Sequence, residues 1–512
     1  MKKLIGLVLC LSILLFCFTA CIGKAPKDTD ETTDIAQQTT EAQKVQAQAV
    51  ALGYYKDKSL NPFKTNSPTN KKLSTLLYDS LFLPEENYTC EPLIAESYTL
   101  DSTTLTVALK SDMAFSDGSI ITASDVVYSF NEAKNSNNFK GMLSNFLSAE
   151  AGTDTVIFTL QKENIFSCSC LIFPIIKYGT VEQEVPTGSG RYTLLEKNDG
   201  YYLKANETST RNEEMSLKEI ALIPTSSEKN ELYLLQTGDL SYFFDDMTDG
   251  EYTKISANTG VINLNNLVYM SYNSSRSLFK DKNIVSALSL AIDRKDISDN
   301  CYSGMSEVTS LPFNPQWYSL KGIQTPEHTQ NASAAAELLE KSGYKFEYSN
   351  NNYRSKNFEF LEMTMIVNTE NQTKLECAKK IQKQLKAVGI DVTLNELEYD
   401  DYVDALYDGE YDLYVGEVKL SADMDLSCFF DEGGSVGYGI DSSSTCADAF
   451  FDFWGGKIDI TTFIQVFELE KPFIPICFRN AVAYYTRELT YQDTVNEYEP
   501  FINIYSWGFS QN

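Results

Sequence analysis

Histidine is nearly absent: His328 is the one histidine in 512 residues. Hydrolases of the Ser–His–Asp or Cys–His kind need histidine as proton carrier. His328 sits in the polar run Thr325-Pro326-Glu327-His328-Thr329-Gln330, which reads as a solvated loop ahead of a helix. The same scarcity leaves zinc or nickel short of ligands. The 11 cysteines include no CxxC pair. Cys168-Ser169-Cys170, read as two thiols on one side of a strand, is only half a zinc site. The cysteines are too scattered for the dense framework of a small disulfide protein, so most read as buried apolar thiols. No metal and no cofactor are expected. The phosphate-cradling GxxxxGK[ST] pattern is missing, and Gly188-Ser189-Gly190 reads as a turn before a strand-like run.

Positive charge is also in deficit, with 42 basic against 71 acidic side chains and a formal net charge of −29. That balance argues against nucleic acid and anionic lipid headgroups as partners. It does not exclude paired-carboxylate chemistry such as glycoside hydrolysis, which needs only two acids at a set separation.

The striking-out of these chemistries leaves the ends and the periodicities. Lys2 and Lys3 precede an uncharged run from Leu4 to Ala20, roughly 17 residues, which suits an export signal and is short for a membrane span. It ends in Phe18-Thr19-Ala20-Cys21, which resembles a lipobox with Phe18 where Leu is usual. Residues 1–20 are therefore read as signal peptide and Cys21 as a lipidated mature N-terminus. An ordinary cleaved signal or an uncleaved anchor is the alternative. Residues 21–49 hold few large apolar groups and cannot offset their ordering entropy. They read as a flexible tether spanning roughly 25–30 Å. The remaining chain, about 460 residues, exceeds one ordinary core.

Leu105, Val107 and Leu109 alternate with polar or small residues, as in a half-buried strand. Asp117-Gly118 supplies a turn, and Thr122 with Asp125 forms the capping box of a helix carrying Val126, Val127 and Phe130. Further on, Leu361 to Val367 alternates as a strand and Leu375, Ala378, Ile381, Leu385 and Val388 form a helical stripe. Gly389 then caps, and Ile390 to Leu394 is a second strand. This is a βαβ unit, which implies a parallel pair. Ile220–Ile223, Glu228–Leu235 and Leu240–Phe244 repeat the scheme. Two separated runs of alternating strands and helices argue for two α/β lobes.

The stretch LTVALKSDMAFSDGSIITASDVVYSF resembles the signature of bacterial extracellular solute-binding proteins of family 5. Those are receptor subunits of oligopeptide, dipeptide and nickel ABC importers. QTGDLSYFF, MSYNSSRSLFKDKNIVSALSLAIDRKDI, SAAAELLEKSGY, KKIQKQLKAVGIDV and IPICFRNAVAYY are similar to later family segments, in the family's order. The resemblance implies a two-lobed periplasmic-binding-protein-like α/β fold of type II, with the extra subdomain of the peptide-binding cluster. Lobe one would comprise 50–267 and 473–512, with the extra subdomain near 91–186; lobe two would be 268–472. Such lobes close around ligand.

The resemblance also implies site residues. Lys419, Leu420 and Ser421 lie where peptide-binding relatives pair an extended segment with the peptide backbone. Ala422-Asp423 matches a dipeptide whose carboxylate holds the ligand's ammonium. Leu420 departs from a common tryptophan, and Met424-Asp425-Leu426 is shorter than the usual pattern; a surface loop is the other reading. Trp317 falls in a loop facing the cleft or packs between loops, and Tyr78 borders the cleft or lies in the core. Asn273 reads as structural. The expected function is a non-enzymatic, monomeric lipoprotein that captures a small solute, by this resemblance an oligopeptide, for an ABC permease and its ATPase. It would be extracytoplasmic, on the outer face of the cell membrane. An extracellular hydrolase of sugar or peptide, or a peptide-sensing receptor, stands as the alternative.

Overall fold

A computed structural model describes residues 50–197, 200–211, 215–248, 252–326, 329–347, 352–491 and 496–509. The signal, the lipobox with Cys21, the tether and His328 lie outside the described residues. Among those residues no helix is long and apolar enough to cross a membrane.

One sheet of 11 strands organises the body. In chain order these are β1 (Ala51–Tyr55), β2 (Tyr192–Lys197), β3 (Gly200–Ala205), β4 (Glu219–Thr225), β5 (Tyr242–Asp245) and β6 (Asn258–Tyr272). They continue with β7 (Ser306–Val308), β8 (Glu362–Asn368), β9 (Asp391–Leu397), β10 (Leu413–Lys419) and β11 (Ile474–Tyr485). Their spatial order is β9-β8-β10-β6-β11-β5-β1-β4-β3-β2, with β7 on the side of β11. The expected βαβ unit is present. β8 and β9 are parallel, joined by the helix Gln372–Ala387, and Gly389 takes the left-handed φ of +90° that lets the chain leave the helix. In the other half, β1 lies between β4 and β5, parallel to both.

The two lobes share the antiparallel pair β6 and β11. Ile262 and Leu264 of β6 pack into one core, with β1 and the helix α1 (Pro68–Leu77). Val268, Met270 and Tyr272 of the same strand pack into a second, around Lys282–Ala291 and Gln372–Ala387. On β11, Ile474, Ile476 and Cys477 belong to the second core and Ala481 and Ala483 to the first. Both strands therefore carry residues of each core. The register slips between Asn263 and Leu267, a bulge that bends the strand where it changes lobe. The start of β11 thus also completes the second core.

The extra subdomain is a four-stranded antiparallel sheet in the order Ala95–Asp101, Thr104–Leu109, Thr155–Leu160, Phe146–Ala151. The helix α2 (Ala123–Asn135) covers it, and both hydrogen bonds of the Thr122–Asp125 capping box are made. Leu105, Val107 and Leu109 all point inward, as their alternation requires. The Cys168–Cys170 run is a correction: Ser167–Cys170 is a 3-10 turn, not a strand. Backbone bonds from Ser169 to Phe166 and from Leu171 to Cys168 close it, and all four side chains are buried, which mimics strand-like apolarity in sequence.

Candidate ligand-binding cleft

A cavity of about 940 Å³ lies between the lobes, within the range of ligand sites. Its lobe-one wall is α1. Ser67 caps that helix by accepting from the Asn70 N–H, and Pro68 starts it. Leu73, Leu76 and Leu77 face the core, so the three- and four-residue spacing sends Lys71, Lys72, Ser74, Thr75 and, just past the helix, Tyr78 to the cavity. The Gly188 and Gly190 turn seats this end of α1. A Cβ on Gly188 would stand 2.4 Å from the Tyr78 ring and one on Gly190 2.5 Å from the Leu77 carbonyl carbon. The glycines serve close packing.

The opposite wall begins where β10 ends, with Val418, Lys419, Leu420 and Ser421, then Asp425, Ser427, Cys428 and Asp431. The bulge in β6 fixes this wall. Buried Asn265 donates its side-chain amide to the Ser421 carbonyl at 2.8 Å and its N–H to Glu497 at 2.8 Å, and its side-chain oxygen accepts from Asn314. Leu420 donates its N–H to the Asn265 carbonyl, and its own carbonyl accepts from the Tyr498 hydroxyl. The Leu420 backbone is thus already bonded within the protein. Lys419 pairs with Glu497.

Asp423 is buried just behind the wall and does not line the cavity. The Asn164 amide donates to it at 2.8 Å, and the Ser421 hydroxyl and Cys170 thiol also donate. Burial raises its pKa against those three bonds. Met424 follows in a left-handed conformation, φ 56°, which is uncommon for a residue with a Cβ. Past that turn Asp425 reaches the cavity, accepting from the Ser427 N–H and hydroxyl at 2.7 Å each. Burial, then the charge of Asp423, pushes its pKa up to about 7. Among the described residues neither carboxyl has an ion-pair partner. The arrangement is two like charges sharing a buried site, one of which holds a proton near neutrality.

A second carboxylate at the bend is fully matched. Glu417 of β10 receives Arg479 at 2.7 Å and the Asn266 amide at 2.8 Å, with Lys374 at 3.2 Å. Burial would raise its pKa, but Arg479 and Lys374 outweigh that and hold it below the ordinary value. Arg479 also donates to the Asp246 and Met247 carbonyls, so it ties the β5 end of lobe one to lobe two.

Of the residues singled out in sequence, Tyr78, Lys419, Leu420 and Ser421 come together on the cavity. Asp423 stands one layer behind. Trp317 is buried elsewhere, in an aromatic cluster with Phe166 and Phe313 at 5.0 Å between ring centroids and Phe453 at 6.1 Å. Asn273 holds a turn, accepting from the Ser275 N–H and donating to the Gly409 carbonyl. Sequence reading missed Lys71, Lys72, Asn265, Asp425 and Arg479. Arg479 carried a signal, since it stands with Asn480 inside an otherwise apolar strand.

Comparison with known proteins agrees with this architecture. The model of bacterial extracellular solute-binding proteins, family 5 (middle), matches residues 89–430. The oligopeptide-binding protein AppA of Bacillus subtilis is 25% identical over 377 residues, covering 69% of each chain. Its structure in complex with a nonapeptide superposes with a TM-score of 0.57 at 21% identity, over 91% of this chain and 100% of that one. The unliganded open form of the periplasmic murein tripeptide binding protein MppA gives a TM-score of 0.75 at 16% identity, over 91% of this chain and 98% of that one. With two thirds of its length matched by the family model, and the two lobes and extra subdomain in place, the chain belongs to the family 5 bacterial extracellular solute-binding proteins.

Proposed function

We propose that the protein captures a peptide with a free N-terminus in the interlobe cavity and delivers it to an ABC permease and its ATPase. The observation that carries this reading is the Asp423–Asp425 pair, one buried and one half-buried carboxyl at the cavity, with no ion-pair partner among the described residues. A ligand ammonium supplies the missing charge. Asp425 meets it at the wall and Asp423 adds its field from behind, because an ammonium removed from water needs a charged partner. Tyr78, Lys419, Leu420 and Ser421 form the surrounding surface, and Trp317 stiffens the lobe behind it. The peptide-binding relatives support the choice of ligand class. The binding unit is a monomer, with lobe one at 50–267 and 473–512, lobe two at 268–472 and the extra subdomain near 91–186.

Calorimetry on a two-by-two set tests this: free and N-acetylated peptide against wild type and Asp423→Asn. Losing one member of a buried charge pair costs about 2–5 kcal/mol, roughly 30- to several-thousand-fold in affinity. Acetylation should weaken binding to the wild type on that scale and much less in Asp423→Asn. Equal binding of free and acetylated peptide to the wild type sinks the reading.

The same proposal places the protein on the outer face of the cell membrane through a lipid on Cys21, with residues 21–49 as tether. Cys21→Ala should release the protein or leave its precursor uncleaved. Unchanged size and membrane retention in lipid-labelled cells would refute the anchor.

A further inference from the structure

The cavity holds four cations, and they are not equivalent. Lys419 is paired with Glu497 and Arg479 with Glu417. Lys71 and Lys72 of α1 are different. The Lys71 ammonium donates to the Asn138 carbonyl at 3.1 Å, and that of Lys72 lies 3.5 Å from the centre of the Phe244 ring. Among the described residues neither reaches a carboxylate at ion-pair distance. Glu497 acts on Lys71, and Asp246, Glu231 and Glu228 on Lys72, only at longer range, and Asp246 is already bonded to the Thr248 N–H and hydroxyl. In a chain with 71 acidic and 42 basic side chains, two neighbouring half-buried lysines without a carboxylate are an exception that surface statistics do not supply. Burial pushes both ammoniums down to about 8, with Lys419 adding to the effect on each.

Opposite them stands the wall carrying Asp425, Asp431 and Glu432. Asp431 is paired with Lys162, and lobe one also brings Asp246, Glu497 and Glu499 to the lining, so the two lining cations without an ion pair among the described residues both lie on α1, across the cavity from Asp425. We propose that Lys71 and Lys72 form a subsite for a carboxylate of the ligand, so that the cleft takes a zwitterionic or acidic peptide with its ammonium toward lobe two and its carboxylate toward α1. This rests on the peptide reading and adds a direction and a charge requirement to it. The subsite also joins the lobes through the ligand itself, since the two charged ends of one molecule engage opposite walls.

The test compares tetra-alanine with its C-terminal amide by calorimetry, on wild type and on Lys71→Gln/Lys72→Gln. Glutamine keeps the helix propensity of α1, and circular dichroism checks the fold. Hydrogen bonds to charged groups imply a loss of about 10- to 100-fold on amidation in the wild type. The loss should shrink to a few-fold in the double variant. Tight, equal binding of acid and amide by the wild type overturns the subsite and leaves the peptide reading standing. Should neither peptide bind, the peptide reading falls, and glutarate then judges the subsite. A rise in wild-type melting temperature that is lost in the variant sustains it, and identical melting of the two proteins with glutarate overturns it.

Discussion

Glu417 and Asp425 lie on the same run of chain at the end of β10, both half-buried near the cleft, and their surroundings are opposite. Glu417 is enclosed by Arg479, Lys374 and Asn266 and is held below the ordinary carboxylate range. Asp425 receives only Ser427, has Asp423 as its charged neighbour, and is pushed up to about 7. The protein has completed the first site with its own cations, and that site joins the lobes. It has left the second incomplete. Matched charge in a closed fold marks a structural tie, whereas unmatched buried charge beside a cavity marks a place for something brought from outside.

The strongest way to break this contrast is to unmatch the matched site. Arg479→Met leaves Glu417 buried with Lys374 as its remaining cation. The variant should lose about 3 kcal/mol of unfolding free energy in a urea titration. A loss under about 1 kcal/mol would mean that Arg479 is no tie.

The next test is pH. Asp425 moves from an ordinary 3.8 to about 7 on folding, so between those values the folded protein holds a proton that the unfolded chain does not. Its contribution is present in full below about 4 and is lost as pH rises through 7. Glu231 and Glu499, each pushed up to about 7 by burial, act in the same direction. The ligand-free protein should therefore be more stable at pH 5 than at pH 8. Asp425→Asn should reduce that difference by about 2 kcal/mol, of the order set by 1.4 kcal/mol per pKa unit. An unchanged pH profile in the variant would show that Asp425 is ordinary.

The smallest effect sharpens the comparison. Lys374 is the outer partner of Glu417, partly exposed and 3.2 Å away. Lys374→Gln should cost only about 0.5–1 kcal/mol, because Arg479 remains and solvent screens the pair. A cost as large as that of Arg479→Met would reverse their order of importance.

What sequence patterns revealed was what local periodicity encodes. The strand Thr104–Leu109, the Thr122 capping box and the β8–helix–β9 unit each consist of neighbours a few residues apart, and each formed as read. The bulge at Asn265 was illegible, because its purpose is to bond Ser421, Glu497 and Asn314, all distant in sequence. Lys71 and Lys72 look like any polar face of a helix until the second wall is placed opposite. Asp423 was found through family resemblance, but its depth is set by Asn164, 259 residues away. Cys168–Cys170 misled because a buried 3-10 turn and a buried strand have the same apolar composition.

The strand β11 lies at the middle of the sheet, yet it comes from the last 40 residues of the chain. β6, its partner, precedes it by some two hundred residues. Neither lobe's sheet can be finished until the chain has been made as far as Tyr485, since the same strand closes both. Pairings of such sequence separation are slow to form, and a chain lacking its end exposes the edges of β6 and β5 together, surfaces that invite association with other chains. The final segment thus works as a completeness check: a molecule cut short anywhere before it fails as a whole rather than surviving as one good half.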